Sequence, residues 1–186
     1  PGPWTNSRVT SPSATQFDVQ AGVKNTIAID ALSYDGKAYT KSDGDFKLTI
    51  EGVVDVNGEN LTVSTVVTNV ACSSSNNKCT IPYTLSVVTA DPMGYYTLTV
   101  TVGSGALARV IDKGRFYARV VPGIPSPVFC TTSLTGSNVV VTAGKNAMVR
   151  VLAKDVYSNL VIKDTFGNTT FRQTLKRAGL SNSVVK

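Results

Sequence analysis

The chain has 186 residues, of which 42% are hydrophobic and only 16% charged, with a formal net charge of +6 and no histidine. The lack of histidine excludes Ser–His and Cys–His catalysis. Only Lys176 and Arg177 are adjacent basic residues and no aromatic residues alternate with basic ones, so we expect no nucleic-acid partner. No stretch reaches the roughly 18 apolar residues of a membrane-spanning helix, so membrane attachment would have to come from parts outside this chain.

One alternating pattern occurs twice, in residues 21–36 and 143–159. Both segments open with Ala-Gly, place an apolar residue at every second position, and end with a tyrosine before a turn. A period of two puts the apolar side chains on one face of a strand. The corresponding positions are Ile27 with Val149, Ile29 with Val151, and Ala31 with Ala153. We therefore expect each copy to begin its own module, with these side chains facing a core.

Between the two copies, short alternating segments follow one another at residues 45–52, 61–70, 79–88, 95–103 and 115–123. Turn-forming Gly, Asp, Asn and Ser residues separate them, and no helical period intervenes. Pro82 predicts that its strand lies at a sheet edge or contains a bulge, because proline lacks a backbone N–H. The pattern predicts an all-β protein, an immunoglobulin-like Greek-key β-sandwich with one complete repeat followed by a partial second.

A proline-containing stretch, VVPGIPSP, separates the two modules at residues 120–127. Proline fixes the backbone and removes a hydrogen-bond donor, so this stretch predicts a semi-rigid linker. We place the first repeat at residues 1–123 and the incomplete second at residues 124–186, with the boundary near Pro125.

Two strands carry adjacent aromatic residues, Tyr95 with Tyr96 and Phe116 with Tyr117. Successive side chains of a strand point to opposite faces, so one member of each pair should be buried and the other exposed. The exposed member would either cover the sheet surface or contact a neighbouring domain or chain.

Carboxylate pairs are the remaining option for acid–base chemistry. Asp43 and Asp45 flank a glycine in a turn, where aspartates usually bond their own backbone, and Asp30 should point to solvent rather than act with Asp35. Calcium favours several acidic oxygens, but two lysines interrupt the aspartates of residues 35–45. We expect no catalytic residues, no metal and no cofactor.

Cys72 and Cys79 bracket six polar residues between two predicted strands. A disulfide across this hairpin would stabilise the fold by about 2.5 kcal/mol through loop entropy. A zinc site would need two further ligands, and the chain offers only Cys130 and no histidine. Free thiols of a cytosolic protein remain an alternative. Cys130 would pair outside this chain or stay buried as a small apolar residue.

Two sequons for N-linked glycans, Asn60-Leu61-Thr62 and Asn168-Thr169-Thr170, lie in or beside predicted turns. Together with the paired cysteines, they favour an extracellular or cell-surface location, where disulfides persist. We therefore expect N-glycans on Asn60 and Asn168.

Several segments in a fixed order carry a family resemblance: GDFKLTIEG, YTLSVV, PMGYYTLTV and FYARVVPG. This order resembles the filamin-type immunoglobulin-like repeat, in full over residues 7–123 and in part over 126 to about 175. The chain departs from the family at Gly114-Arg115, where Ser-Pro is usual, and at CSSSNNKC, which replaces the usual Asp-Gly-Thr-Tyr turn. The second departure adjoins the family's ligand groove, so the resemblance does not carry over the choice of partner.

The resemblance implies a non-enzymatic structural or adhesive module of a larger extracellular glycoprotein, similar to algal and plant proteins of gamete adhesion and ciliary surfaces. Its partners would be proteins: copies of itself, neighbouring repeats or a cell-surface partner. An extracellular filament and a cytosolic actin-crosslinking scaffold are the alternatives. In filamin-type repeats a partner peptide adds as a strand, and the matching edge here would comprise Phe46, Leu48, Ile50, Val63 and Thr65.

Overall fold

The computed structural model of the protein describes residues 6–33, 35–37, 46–56, 59–73, 76–89, 94–103, 105–133, 149–161, 174–176 and 183–185. The chain divides into two compact units. The first comprises Pro1–Gly123 together with Tyr157–Asn159, and the second comprises Ile124–Val156 and Leu160–Lys186.

Nine strands and one short 3-10 helix, Gly105–Leu107, make up the described part of the first unit. Thr, Val and Ile dominate these strands because β-branched side chains pack well on a pleated surface. The strands are β1 (Arg8–Ser11), β2 (Gln16–Gln20), β3 (Lys24–Asp30), β4 (Phe46–Val56), β5 (Glu59–Val67), β6 (Ala71–Cys72), β7 (Lys78–Thr84), β8 (Tyr96–Val102) and β9 (Arg109–Val121).

The strands form two layers. One layer has the order β5-β4-β8-β9-β2 and the other the order β1-β3-β7-β6. The layers are connected by one parallel pair, Arg8 with Asp112. After the β4–β5 hairpin the chain crosses to the second layer for β6 and β7, and it returns to the first for β8. This is the predicted immunoglobulin-like Greek-key sandwich.

The core consists of side chains at alternate positions of both layers. Ile27, Ile29 and Ile81 from one layer have no exposed surface, and neither do Leu48 and Leu98 from the other. Strand β8 is buried at every second residue along its whole length. The predicted inward orientation of Ile27 and Ile29 is therefore confirmed.

The adjacent aromatic residues of β9 are divided between a buried and an exposed position, as predicted, whereas neither member of the pair Tyr95 and Tyr96 is exposed. Tyr96 and Phe116 are buried, whereas Tyr117 is 38% exposed and Tyr95 lies half-buried. The ring of Phe17 meets that of Phe116 edge-on, with centroids 6.3 Å apart. Aromatic pairs favour this geometry because the positive edge of one ring faces the negative face of the other.

Asp30 corrects one prediction, because only 8% of its surface is exposed. It lies on the outer face of β3, but the register places Arg8 of β1 and Lys78 of β7 directly beside it. Both basic side chains form ion pairs with its carboxylate and cover it. A strand in the middle of a layer thus buries an outward carboxylate that the alternating pattern assigns to solvent.

Pro82 of β7 pairs with Thr26 of β3 on one side. On the other side, β6 covers only Cys79 and Thr80. Pro82 therefore lies beyond the end of the neighbouring strand, where no ladder hydrogen bond is required of it, and the predicted edge position is confirmed.

The second unit contains short strands in its described part. Strand β10 (Thr131–Thr132) pairs with β11 (Val151–Leu152), and β12 (Thr174–Lys176) pairs with β13 (Ser183–Val185). Val149 and Ala153 are half-buried, but Val151 is 39% exposed, so the prediction that it faces a core is wrong. All buried hydrophobic residues among those described lie between Val9 and Val120, in the first unit. A second immunoglobulin-like repeat stays a prediction.

Cys72 and Cys79 form the predicted disulfide. They lie directly opposite each other in the β6–β7 pair, with Cα atoms 4.0 Å apart. Cys79 is buried in the core and Cys72 packs against it. The bond therefore joins the short edge strand β6 to the body of its layer.

We expect the double substitution Cys72→Ser and Cys79→Ser to lower the free energy of unfolding by about 2.5 kcal/mol, because the unfolded chain gains loop entropy. Denaturant titration of both proteins under oxidising conditions measures this difference. Cys130→Ser is the matched control and should retain the wild-type midpoint within error. Equal midpoints for the wild type and the double variant would contradict a stabilising role.

Candidate functional site

Strand β5 forms one edge of the first layer. Its nine residues pair with β4 in an unbroken antiparallel register from Glu59 to Val67. Among the described strands β5 has no partner on its other side. Its outward N–H and C=O groups therefore provide a template for another extended chain.

Strand β4 is not part of this edge, which corrects the predicted site. Leu48 and Ile50 pair with β5 on one side and β8 on the other, and Phe46 pairs with Val102 of β8. All three side chains are buried in the core. Only Val63 and Thr65 of the predicted set lie on an edge strand, and strand addition there stays a prediction.

Most side chains of β5 are exposed to solvent, although the strand is rich in Val and Thr. Seven of its nine residues are exposed, and Val63 and Val67 are half-buried against the core. The exposed residues include two large apolar side chains, Leu61 at 47% and Val66 at 55%. The edge thus presents apolar surface as well as backbone hydrogen-bonding groups.

A groove of about 270 Å³ lies along the inner face of β5. Its other wall is the segment that follows β7, so the groove opens where the two layers separate. The lining is mainly apolar and comprises Ile50, Val54, Val63, Thr65, Val67, Thr84, Leu85, Ser86, Val87 and Tyr96. Side chains at alternate positions of an extended peptide would fit such a cleft.

Two hydroxyl groups hold the far wall against β4 and β8. Tyr96 donates a hydrogen bond to the carbonyl of Val87 at 2.9 Å, and Thr89 donates to the carbonyl of Val53 at 2.7 Å. Burial raises the pKa of Tyr96 above its usual value, so its phenol stays protonated and able to donate. The wall is therefore fixed independently of any partner.

Asn159 provides a further hydrogen-bonding contact beside the groove within the first unit. Its side-chain oxygen accepts a hydrogen bond from the Val88 N–H at 2.9 Å, and its amide donates to the Ser86 carbonyl at 2.8 Å. The local sequence pattern places Asn159 in a turn and does not reveal this contact, because the residue it binds is 71 positions away along the chain.

The other predicted site residues are dispersed. Asn60 is exposed on β5, opposite Asp55 of β4. Asp35 accepts a hydrogen bond from the Ser33 hydroxyl and is contacted by the backbone and ammonium groups of Lys37, which lowers its pKa.

Asn168, Asp43 and Asp45 lie outside the described residues. Within the described part of the chain, no three His, Cys, Asp or Glu side chains are close enough to hold a metal ion.

No protein-family model matches the chain. No curated protein matches it either. Among solved structures, a marsupial T cell receptor is similar at 12% sequence identity with a TM-score of 0.34. That likeness covers 72% of this chain and 40% of the receptor chain. Strand order, register and the two-layered core identify the immunoglobulin-like fold. In the part of the chain that the structure describes, no helix has the length and apolarity to cross a membrane.

Gly52 of β4 should be sensitive to the smallest substitution, because the ring of Tyr96 fills the space beside it. A Cβ atom at position 52 would lie 2.3 Å from the Tyr96 ring. We expect Gly52→Ala to lower the free energy of unfolding by about 1–3 kcal/mol through overpacking. Denaturant titration measures the effect. In a Tyr96→Leu background the same substitution should cost clearly less, and an unchanged cost would contradict the contact.

The fold should lose stability at alkaline pH. Burial raises the pKa of Tyr83 to about 12, whereas an unfolded tyrosine ionises near 10. Below about pH 10 the Tyr83 phenol is protonated in both the folded and the unfolded state. As the pH rises from about 10 to 12, only the unfolded state loses this proton, so the free energy of unfolding falls over that range. Tyr83→Phe should flatten this decline in the free energy of unfolding, and exposed Tyr117→Phe should not. If the free energy of unfolding declined equally in the wild type, Tyr83→Phe and Tyr117→Phe, Tyr83 would not be the cause of the decline.

Proposed function

We propose that the chain is a non-enzymatic structural or adhesive module of a larger extracellular multidomain glycoprotein, and that it acts by binding other proteins. The observation that carries this proposal is β5, a nine-residue exposed edge with an apolar groove along its inner face. The motifs that resemble filamin-type repeats support the same conclusion, because strand addition is the mode of binding they imply.

Binding would use the half of β5 that borders the groove. Backbone groups of residues 63–67 would pair with an extended segment of another protein, and alternate side chains of that segment would enter between Val63, Val67 and Leu85. The partner segment is therefore one with apolar residues at every second position. It would belong to a neighbouring repeat or a cell-surface protein.

The extracellular location is supported by the Cys72–Cys79 disulfide. Disulfides persist in oxidising compartments and are rare in the cytosol, which argues against a cytosolic scaffold. The exposed sequon at Asn60 is compatible with the secretory pathway.

Selection from a random-peptide display library, with the full chain as bait, tests the proposed binding. We expect the enriched peptides to alternate apolar and polar residues and to slow hydrogen exchange along β5. Thr65→Trp should weaken binding of a synthetic enriched peptide at least about tenfold, because the indole occupies the space of a buried side chain.

Ser64→Trp is the matched control, since it places the same side chain on the opposite face of the same strand and should leave affinity within about twofold. Thermal unfolding verifies that both variants fold. Equal affinity for the wild type and Thr65→Trp, or enriched peptides without alternation, would contradict the proposal.

A further inference from the structure

The described edge strands of the first unit differ in how well they are protected from pairing with another chain. Strand β6 has only two residues, and β1 has four with a register irregularity between Val9 and Ser11. Strand β2 has five residues and carries Asp18, which Arg119 holds through two hydrogen bonds of 2.8 and 2.7 Å. Shortness, irregularity and charge are the usual ways of preventing edge-to-edge association.

Strand β5 has none of these protections. It is nine residues long, its register with β4 shows no bulge, and it contains no Lys, Arg or Pro. Its one charged residue is Glu59, at the end of the strand beside the turn. A long, exposed and partly apolar edge of this kind would pair with the same edge of a second copy.

The strand that lacks protection is the one that carries a sequon. Asn60, Leu61 and Thr62 are all exposed. Asn60 alternates with Val63, Thr65 and Val67, so it lies on the face of the sheet opposite the groove. A group attached to Asn60 would leave the groove itself open.

We infer that Asn60 carries an N-linked glycan, and that this glycan prevents β5 from pairing along its full length with β5 of another copy while it leaves residues 63–67 free for a partner strand. This inference rests on the extracellular location in the proposed function. The glycan is the edge protection that the amino acids of β5 do not supply.

The geometry explains why the glycan acts on only half of the strand. Opposing residues of antiparallel strands have Cβ atoms about 5 Å apart, so a sugar on Asn60 would occupy the space of any residue paired with it. Asp55 lies opposite Asn60 on the β4 side, and a strand paired with the open edge would place a residue at the corresponding position on the other side of Asn60. At about 3.3 Å per residue, Val63 is about 10 Å from Asn60 and Val67 about 23 Å. A full-length β5–β5 pair is therefore blocked, whereas a five-residue strand at residues 63–67 is not.

The modification requires a lipid-pyrophosphate-linked oligosaccharide and the transferase of the secretory pathway. The side-chain nitrogen of Asn60 forms a bond to C1 of the first sugar, and the bond between C1 and the donor phosphate oxygen breaks. Lipid pyrophosphate leaves with the bonding electrons, and the amide nitrogen loses one proton.

Expression of the full chain in a eukaryotic secretory host, followed by peptide mass spectrometry and light scattering, tests the inference. Thr62→Ser preserves the sequon and Thr62→Ala removes it, while both leave Asn60 in place. We expect Asn60 to be glycosylated in the wild type and in Thr62→Ser, and both proteins to be monomeric. Thr62→Ala should associate as concentration rises, with a doubling of apparent mass. Addition of Val66→Lys to Thr62→Ala should restore the monomer, because an edge lysine opposes strand pairing.

A bare Asn60 in the secreted wild type, or a monomeric Thr62→Ala at all concentrations, would overturn the inference. Association of Thr62→Ala that Val66→Lys does not reverse would also overturn it, since β5 would then not be the contact. Binding of a selected peptide to the same secreted protein separates the two proposals. Retained peptide binding with a bare Asn60 refutes only the glycan, and a glycosylated Asn60 without peptide binding refutes only the proposed function.

Discussion

The apolar side chains that alternate along the strands of the first unit are removed from water only when two sheets lie face to face. Ile29 and Ile81 on one sheet and Leu48 and Leu98 on the other are fully buried for this reason. Burying each such side chain contributes about 1.5–3 kcal/mol, so the packing of the two layers is the main source of stability. The positions of the disulfide, the groove and the exposed edge all depend on this packing.

The two layers are unequal at one side, and the candidate site is located there. Strand β5 continues the first layer for nine residues, whereas β6 covers only two residues of β7 in the other layer. The segment after β7 must therefore cover the inner face of β5, and it does so incompletely. A groove remains between Val63 and Leu85, bounded by side chains that the core holds in place. The site is thus a consequence of unequal strand lengths rather than of a dedicated loop.

Sheet edges pose the same physical problem at each border of the sandwich, because unpaired backbone groups attract another chain. The Cys72–Cys79 bond and the shortness of β6 limit one edge, and the Asp18–Arg119 pair places charge on another. Strand β5 combines a usable edge for recognition with a risk of self-association. A glycan on the outer face near the turn would reconcile these two properties, because the proposed recognition would use the opposite face and the far half of the strand.

Features that depend on neighbouring residues along one strand could be predicted from the sequence. A period of two identified Ile27 and Ile29 as core, divided Phe116 from Tyr117, and located the cysteines of a hairpin. These features follow from the pleat of a single strand, which places successive side chains on opposite faces.

Features that depend on which strands are neighbours could not be predicted from the sequence, because they arise from the folded arrangement of the strands. The tertiary structure covered Asp30 with basic residues from two other strands, placed β4 in the middle of a layer instead of at its edge, and left Val151 exposed. It also brought Asn159 against the backbone beside the groove. Strand order and the covering of one layer by another arise from contacts between residues far apart in the chain. A local sequence pattern does not specify these contacts.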